Sequence, residues 1–248
     1  MQNFLYKLLL KSSSILGRTA QITHKLANSI ECSKKQEDQW TALNEIDTKI
    51  AHYLPEILNS QTFYVEAGAN DGINQSNTHF LEKIYGARGL LIEASQSLFE
   101  KCLKNRCGSN IFALCALVED TYKHEYVDLI YSNLMTVSQQ STDVDPYEHA
   151  IRGLEHFDGS NYEFAAKAKN LDQLLEENCI NKVDLLSLDI EGNELNALRG
   201  ANLRKNKIKN IVIETRTLEN IQQYLSSHNY LLKAKLSHHD YLFSLANG

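Results

Sequence analysis

Along this chain the spacing of apolar side chains changes character near residue 60. Before that point they recur at helical intervals, first as Phe4, Leu5, Leu8 and Leu9 and then as Trp40, Leu43, Ile46, Ile50, Tyr53 and Leu54. Residues 1–60 are therefore predicted to form a helical extension of two or three helices. From Gln61 onward, short apolar runs alternate with helical stretches, which predicts a parallel sheet with helices on both faces over residues 61–248. The predicted strands are Phe63–Glu66, Gly89–Glu93, Ile111–Leu117, Val183–Asp189 and Ile208–Glu214, closed by a hairpin of Tyr230–Leu236 and Asp240–Leu245. All but the third of the first five end in an acid: Glu66, Glu93, Asp189 and Glu214. In an open α/β sheet ligands bind beyond the C-terminal strand ends, so these acids mark the predicted site.

The turn after the first strand, Glu66-Ala67-Gly68-Ala69-Asn70-Asp71-Gly72, narrows the ligand. Gly68 and Gly72 can take positive φ and let backbone come close to a ligand. A dinucleotide turn needs G-x-G-x-x-G, and here there are two glycines and a carboxylate that would repel a pyrophosphate. S-adenosylmethionine brings a sulfonium and an ammonium to such a turn, which suits an acid at the strand end. Glu93 follows Gly72 at the end of the second strand, where an acid can accept hydrogen bonds from both ribose hydroxyls of an adenosine cofactor. Asp189 and Glu191, in the run Asp189-Ile190-Glu191-Gly192-Asn193-Glu194, are two apart and can both face the crevice if the chain turns at Gly192, whereas Glu194 is expected to cap the next helix or face water.

Composition removes several alternatives. The net charge is −6 and basic residues are dispersed, so no basic stripe offers itself to nucleic acid. Five cysteines (Cys32, Cys102, Cys107, Cys115, Cys179) without a C-x-x-C spacing argue against a disulfide framework or zinc ribbon and for a reducing, cytoplasmic setting. Up to Ile30 every formal charge is positive (Lys7, Lys11, Arg18, Lys25). That helix can dock on the chain's own domain or a second subunit, or lie on an anionic membrane face. The run Phe4–Leu10, broken by Lys7, is too short to span a bilayer.

The E-A-G-A-N-D-G-x-x-x-S-N run from Glu66 to Asn77, Gly89-Leu-Leu-Ile-Glu93, Asn105-Arg106, the block from Val183 through Asp189-Ile-Glu191-Gly192-Asn-Glu194 to Gly200, and Ile211-Val-Ile-Glu214 together resemble the FkbM family of S-adenosylmethionine-dependent methyltransferases. The resemblance covers roughly Gln61–Leu245 in the same order. It implies a Rossmann-like class I methyltransferase fold with a seven-stranded, mostly parallel sheet, and methyl transfer to a hydroxyl oxygen, often on a sugar or glycan. It also implies a cofactor set of Glu66, Gly68, Ala69, Asn70, Asp71, Gly72, Ser76, Asn77, Glu93, Ala94, Cys115, Ala116 and Asp189.

Methyl transfer from a sulfonium is an in-line displacement, so an enzyme mainly aligns donor and acceptor and supplies a base where the acceptor is a hydroxyl. Asp189, Glu191 and Glu214 are the candidate bases, followed by His239 beside His238 in the terminal hairpin. Paired carboxylates can also hold a divalent metal, but no ligand spacing in the chain supports one. The stretch 131–168, with Tyr131, Asn133, Met135, Pro146, Tyr147, His149, Arg152, His156, Asp158 and Tyr162, is longer than a crossover needs and is expected to line the acceptor site. Two other readings stay open at this point: a nicotinamide-dependent oxidoreductase, and a binding protein that keeps the fold without catalysis.

Overall fold

The computed structural model describes residues 39–131, 137–138, 148, 162–205 and 207–246. The predicted basic helix around Phe4–Leu9 and residues 132–136, 139–147 and 149–161 of the expected insertion lie outside them. The chain divides into compact units of residues 1–40 and 41–248. The second begins at Thr41 rather than Gln61 because helix α1 (Ile46–Tyr53) and the turn after it bury Ile46, Ile50, Leu54 and Ile57 within it.

In chain order the strands are β1 (Phe63–Ala67), β2 (Arg88–Glu93), β3 (Ile111–Leu114), β4 (Ala116–Leu117), β5 (Tyr126–Tyr131), β6 (Val137–Ser138), β7 (Tyr162–Lys169), β8 (Leu185–Leu188), β9 (Asn210–Glu214), β10 (Tyr230–Lys235) and β11 (Asp240–Leu245). After α1 come α2 (His79–Tyr85), α3 (Gln96–Asn105), α4 (Leu171–Glu177), α5 (Glu194–Arg199) and α6 (Leu218–Ser226). Seven strands form one sheet in the order β10-β11-β9-β8-β1-β2-β3. Pairing is parallel from β9 to β3, with β11 antiparallel to both β9 and β10. The fold is thus the Rossmann-like α/β architecture that the strand pattern predicts. Chain order runs outward in both directions from β1 and β8, which makes their C-terminal ends the switch point where such sheets bind ligands.

The two faces of β1 differ in chemistry because successive side chains alternate. Val65 and Ala67 join the apolar core with Leu90, Ile92, Leu186, Leu188, Ile211 and Ile213. Tyr64 and Glu66 point the other way, toward Arg106 at the end of α3. At about 25 cal/mol per Å² of apolar surface removed from water, the first face supplies most of the driving force. The second face is polar, and stable only where its groups are paired.

Two predicted elements differ from what forms. The third predicted strand, Ile111–Leu117, breaks at Cys115: β3 stays in the main sheet while β4 leaves to pair with β7. A second sheet, β4-β7-β5-β6, then occupies part of what reads as an insertion. Its own small core is Ala116, Val118, Val127, Leu129 and Ala166.

Candidate functional site

The turn after β1 is held from beneath. Glu66, buried, accepts hydrogen bonds from Ser76 Oγ (2.9 Å), Asn77 N–H (2.8 Å), Thr78 Oγ1 (2.7 Å) and Arg106 Nη1 (3.3 Å). A carboxylate has about four lone-pair sites, and these donors fill them. The expectation that Glu66 faces a sulfonium is corrected on that ground: its oxygens are spent on the chain itself. Ser76, also expected to touch the cofactor, gives its hydroxyl to Glu66 and accepts from His79 N–H (3.0 Å), which starts α2.

Arg106 organises this face. Its side chain is 0% exposed and donates to Glu82 (2.7 Å), Gly72 O (2.9 Å), Tyr64 Oη (2.7 Å) and Thr78 Oγ1 (3.3 Å) as well as Glu66. Burial pushes the Glu82 carboxyl up, but the guanidinium, with Cys107 N–H and the Asn110 amide, outweighs it and leaves Glu82 below the usual range. The two glycines have the positive φ expected of them, +82° and +85°, but for a different reason. A Cβ on Gly68 would lie 1.9 Å from Asp189 O, and one on Gly72 would lie 2.7 Å from Arg106 Cγ. What comes close to these backbones is the protein's own chain.

The remaining predicted cofactor residues stand around Glu93. Glu93 is buried and accepts from Asn70 N–H and Ser95 N–H, both 2.8 Å, through different oxygens. Burial raises its pKa and backbone donors, Ala94 N–H among them, only partly offset this. Asn70, at φ 49°, has a buried side-chain oxygen with no partner among the described residues. Asp71 accepts from Ile73 and Asn74 N–H and so shapes the turn. Ala69 N–H donates to Ile92 O (3.0 Å) and Cys115 N–H to Glu93 O (3.1 Å), which ties the loop and the break after β3 to the end of β2. Ala94 and Ala116 adjoin the small second-sheet core.

The other predicted acids do converge. Asp189 and Glu214, at the ends of β8 and β9, line a 540 Å³ cavity with Gln75, Asn77, Leu43, Asn44, Ile46, Lys49 and the hairpin residues Leu236–Asp240. Asp189 is pushed well above the carboxylate range by burial and then by Glu214, Glu191, Glu194 and Asp240. Glu214 is raised to about 7 by burial and by Glu191 and Asp240, despite Arg216 and a hydrogen bond with Asp189. Two carboxyls so linked share a proton more readily than they both ionise. Asp240 accepts from Ser237 Oγ and is itself raised by burial. His239 is exposed at the cavity wall, and its carbonyl accepts from Thr215 N–H (2.8 Å). Glu191, at φ 55°, lines a smaller void beside Asp189 and Glu214.

Several cavity residues escape sequence reasoning. Leu43, Asn44 and Lys49 come from a stretch assigned to the extension; Lys49 Nζ donates to Asn44 O (2.7 Å) and Leu236 O (2.8 Å), fixing that wall to the hairpin. Glu194, expected to cap a helix or face water, is 1% exposed. It begins α5 and accepts from Ile190 and Gly192 N–H in the turn before that helix, and the signal for this is its place in the D-x-E-G-x-E block. Of the insertion, Tyr131 and Tyr162 stack at 4.7 Å. Among the described residues no group of three His, Cys, Asp or Glu is placed to hold a metal, and no helix is long and apolar enough to cross a membrane.

An acid-rimmed switch point on this sheet defines an α/β protein of the Rossmann-like kind. Residues 66–243 match the Methyltransferase FkbM domain, and the chain belongs to that family. Similar solved structures include the methyltransferase FkbM from Methylobacillus flagellatus KT, 16% identical over 75% of this chain and 43% of that one, with a TM-score of 0.47. Precorrin-6y C5,15-methyltransferase from Geobacter metallireducens GS-15 is 10% identical over 80% and 86%, TM-score 0.41. A human methyltransferase 10 domain containing protein is 9% identical over 81% of each chain, TM-score 0.44. The chain spans less than half the length of the first of these. No curated protein matches it.

Proposed function

We propose that the protein is an S-adenosylmethionine-dependent O-methyltransferase that methylates a sugar hydroxyl of a glycan or glycolipid. The observation that carries this reading is the group Asp189, Glu214 and Asp240 on one cavity, each raised from its ordinary value first by burial. A cationic ligand relieves their repulsion, whereas the pyrophosphate of a nicotinamide cofactor adds to it. Family membership points the same way.

The residues around the turn fit the cofactor. Glu93 is buried and has lone pairs beyond the two taken by Asn70 and Ser95, as a ribose diol requires. Asn70 has a buried oxygen without a partner among the described residues, and the small residues Ala94, Cys115 and Ala116 follow the ends of β2 and β3. Glu93, Asn70 and the Gly68–Gly72 backbone would hold the cofactor, with Glu66 and Ser76 supporting the turn from below. The cofactor, when bound, supplies a methyl group on a positively charged sulfur.

Asp189 and Glu214 take the hydroxyl proton of the acceptor. Their raised values bring a carboxylate base nearer to neutral pH, where general-base catalysis works best. Glu191 and His239, on the adjoining walls, are the alternative bases. Asn77 and Gln75, beside the apolar Leu43, Ile46 and Leu236, give the cavity the mixture of hydrogen-bonding and apolar surface that a sugar presents in return. Calorimetry with S-adenosylhomocysteine and transfer of label from S-adenosylmethionine to a panel of glycans test the assignment. Binding with transfer supports it; binding without transfer to any glycan would leave a cofactor-binding protein of another specificity, and no heat at all would remove the cofactor.

A further inference from the structure

Behind the Asp189–Glu214 pair lies a void of about 20 Å³, lined by Asp189, Glu191, Gly192, Glu194, Glu214, Thr215 and Arg216. That is room for one water, and a buried water needs two to four polar partners. The partners are there. Glu194 Oε1 is engaged by Ile190 N–H (3.0 Å) and Gly192 N–H (3.1 Å), while its Oε2 is buried without a hydrogen-bond partner among the described residues. A buried carboxyl oxygen left unpaired is destabilising, and a water in this void removes that cost.

We propose that the void holds a water through which Glu194 exchanges a proton with the Asp189–Glu214 pair, making the three carboxyls one proton-sharing unit. A hop breaks the O–H bond of the protonated carboxyl and forms one on the water, which passes a different proton to the recipient carboxylate. One proton moves, the water is regenerated, and no co-reactant is needed. With Glu194 raised to about 8 by burial, the unit keeps a proton at neutral pH, which lets Asp189 or Glu214 stay ionised beside it. Glu194 is then a positioning residue for the base, not a group that meets substrate. The other charges facing the unit are Glu191 on the same turn, Arg216 after β9, Asp240 and His239 on the hairpin, and Lys49 on α1.

The inference rests on the reading of Asp189 and Glu214 as the base, but its test uses the free protein and no acceptor. Glu194→Gln keeps the oxygen that the two backbone N–H groups need and cannot ionise. Carboxyl carbon NMR titrations of ¹³C-labelled wild type and E194Q, with a high-resolution crystal structure of the wild type, read the outcome. Expected are an ordered water within hydrogen-bond distance of Glu194 Oε2 and, in E194Q, a pair whose last titration step moves to lower pH. By linkage, Asp189→Asn should also lower the Glu194 midpoint. A purely structural Glu194 would lose its own titration and leave those of Asp189 and Glu214 superimposable on the wild type. That result, or a dry void, overturns the proposal even if the protein binds S-adenosylhomocysteine.

Discussion

Two groups of buried and half-buried acids flank the parallel sheet's switch point, and they are built oppositely. Glu66 and Glu82 surround a guanidinium, and Arg106 and neighbouring donors engage the oxygens of both. Asp189, Glu194, Glu214 and Asp240 enclose no buried guanidinium among the described residues, and every one is raised, first by burial. In the sequence Glu66 of the first group looks like Asp189 and Glu214 of the second, each an acid at a strand end. The difference teaches that burial alone does not make an acid functional: one supplied with its own cation is a fastener, and one without is poised for a cation or a proton from elsewhere.

The contrast is broken most severely at Arg106. Arg106→Met leaves Glu66 and Glu82 buried without a counter-charge and should cost about 3–5 kcal/mol in chemical denaturation. Asp189→Asn, by contrast, should leave the denaturation midpoint unchanged or raised, because it removes a repelled charge. Methyl transfer should fall about 10²–10⁴-fold, the usual worth of a general base. Glu93→Gln should weaken S-adenosylhomocysteine binding about 10–100-fold by calorimetry, since a hydrogen bond to a charged group contributes about 1.5–3 kcal/mol, with little effect on the fold.

The two groups should also give opposite pH slopes. Glu194 and Glu214 have folded-state values of about 8 and about 7, above their ordinary 4.5. Between those limits the folded chain holds more protons than the unfolded one, so stability from this group falls as pH rises toward 8. Glu82 lies below its ordinary value, so its contribution is present above the usual carboxylate range and is lost as pH falls through the folded value. Urea titrations of wild type and Glu214→Gln across pH 4.5–8 should show the upper slope flattened in the variant. An unchanged slope would mean that Glu214 is not raised in the folded chain.

Much of this was legible in the sequence where periodicity and composition agree. The runs ending at Glu93, Asp189 and Glu214 are dense in Leu, Ile and Val and form β2, β8 and β9; the hairpin of β10 and β11 follows its aromatic and aliphatic residues. The second sheet was not legible. Its longest strand, Tyr162–Lys169, reads Tyr-Glu-Phe-Ala-Ala-Lys-Ala-Lys, six of its eight residues good helix formers, and only pairing with Tyr126–Tyr131 makes it extended. Glu66 was misplaced for a similar reason: the residue that claims it, Arg106, is 40 positions away, and strand alternation gives its face but not its partner. Leu43 and Lys49 reach the cavity by packing of α1, which no local pattern encodes.

Gly68 and Asp189 leave no room for a methyl group between them. The loop that would grip the donor and the backbone that carries the proposed base therefore sit in direct contact, so a displacement of one is felt by the other. On another wall of the cavity Lys49 ties the stretch before the leading helix to the closing hairpin through the carbonyls of Asn44 and Leu236.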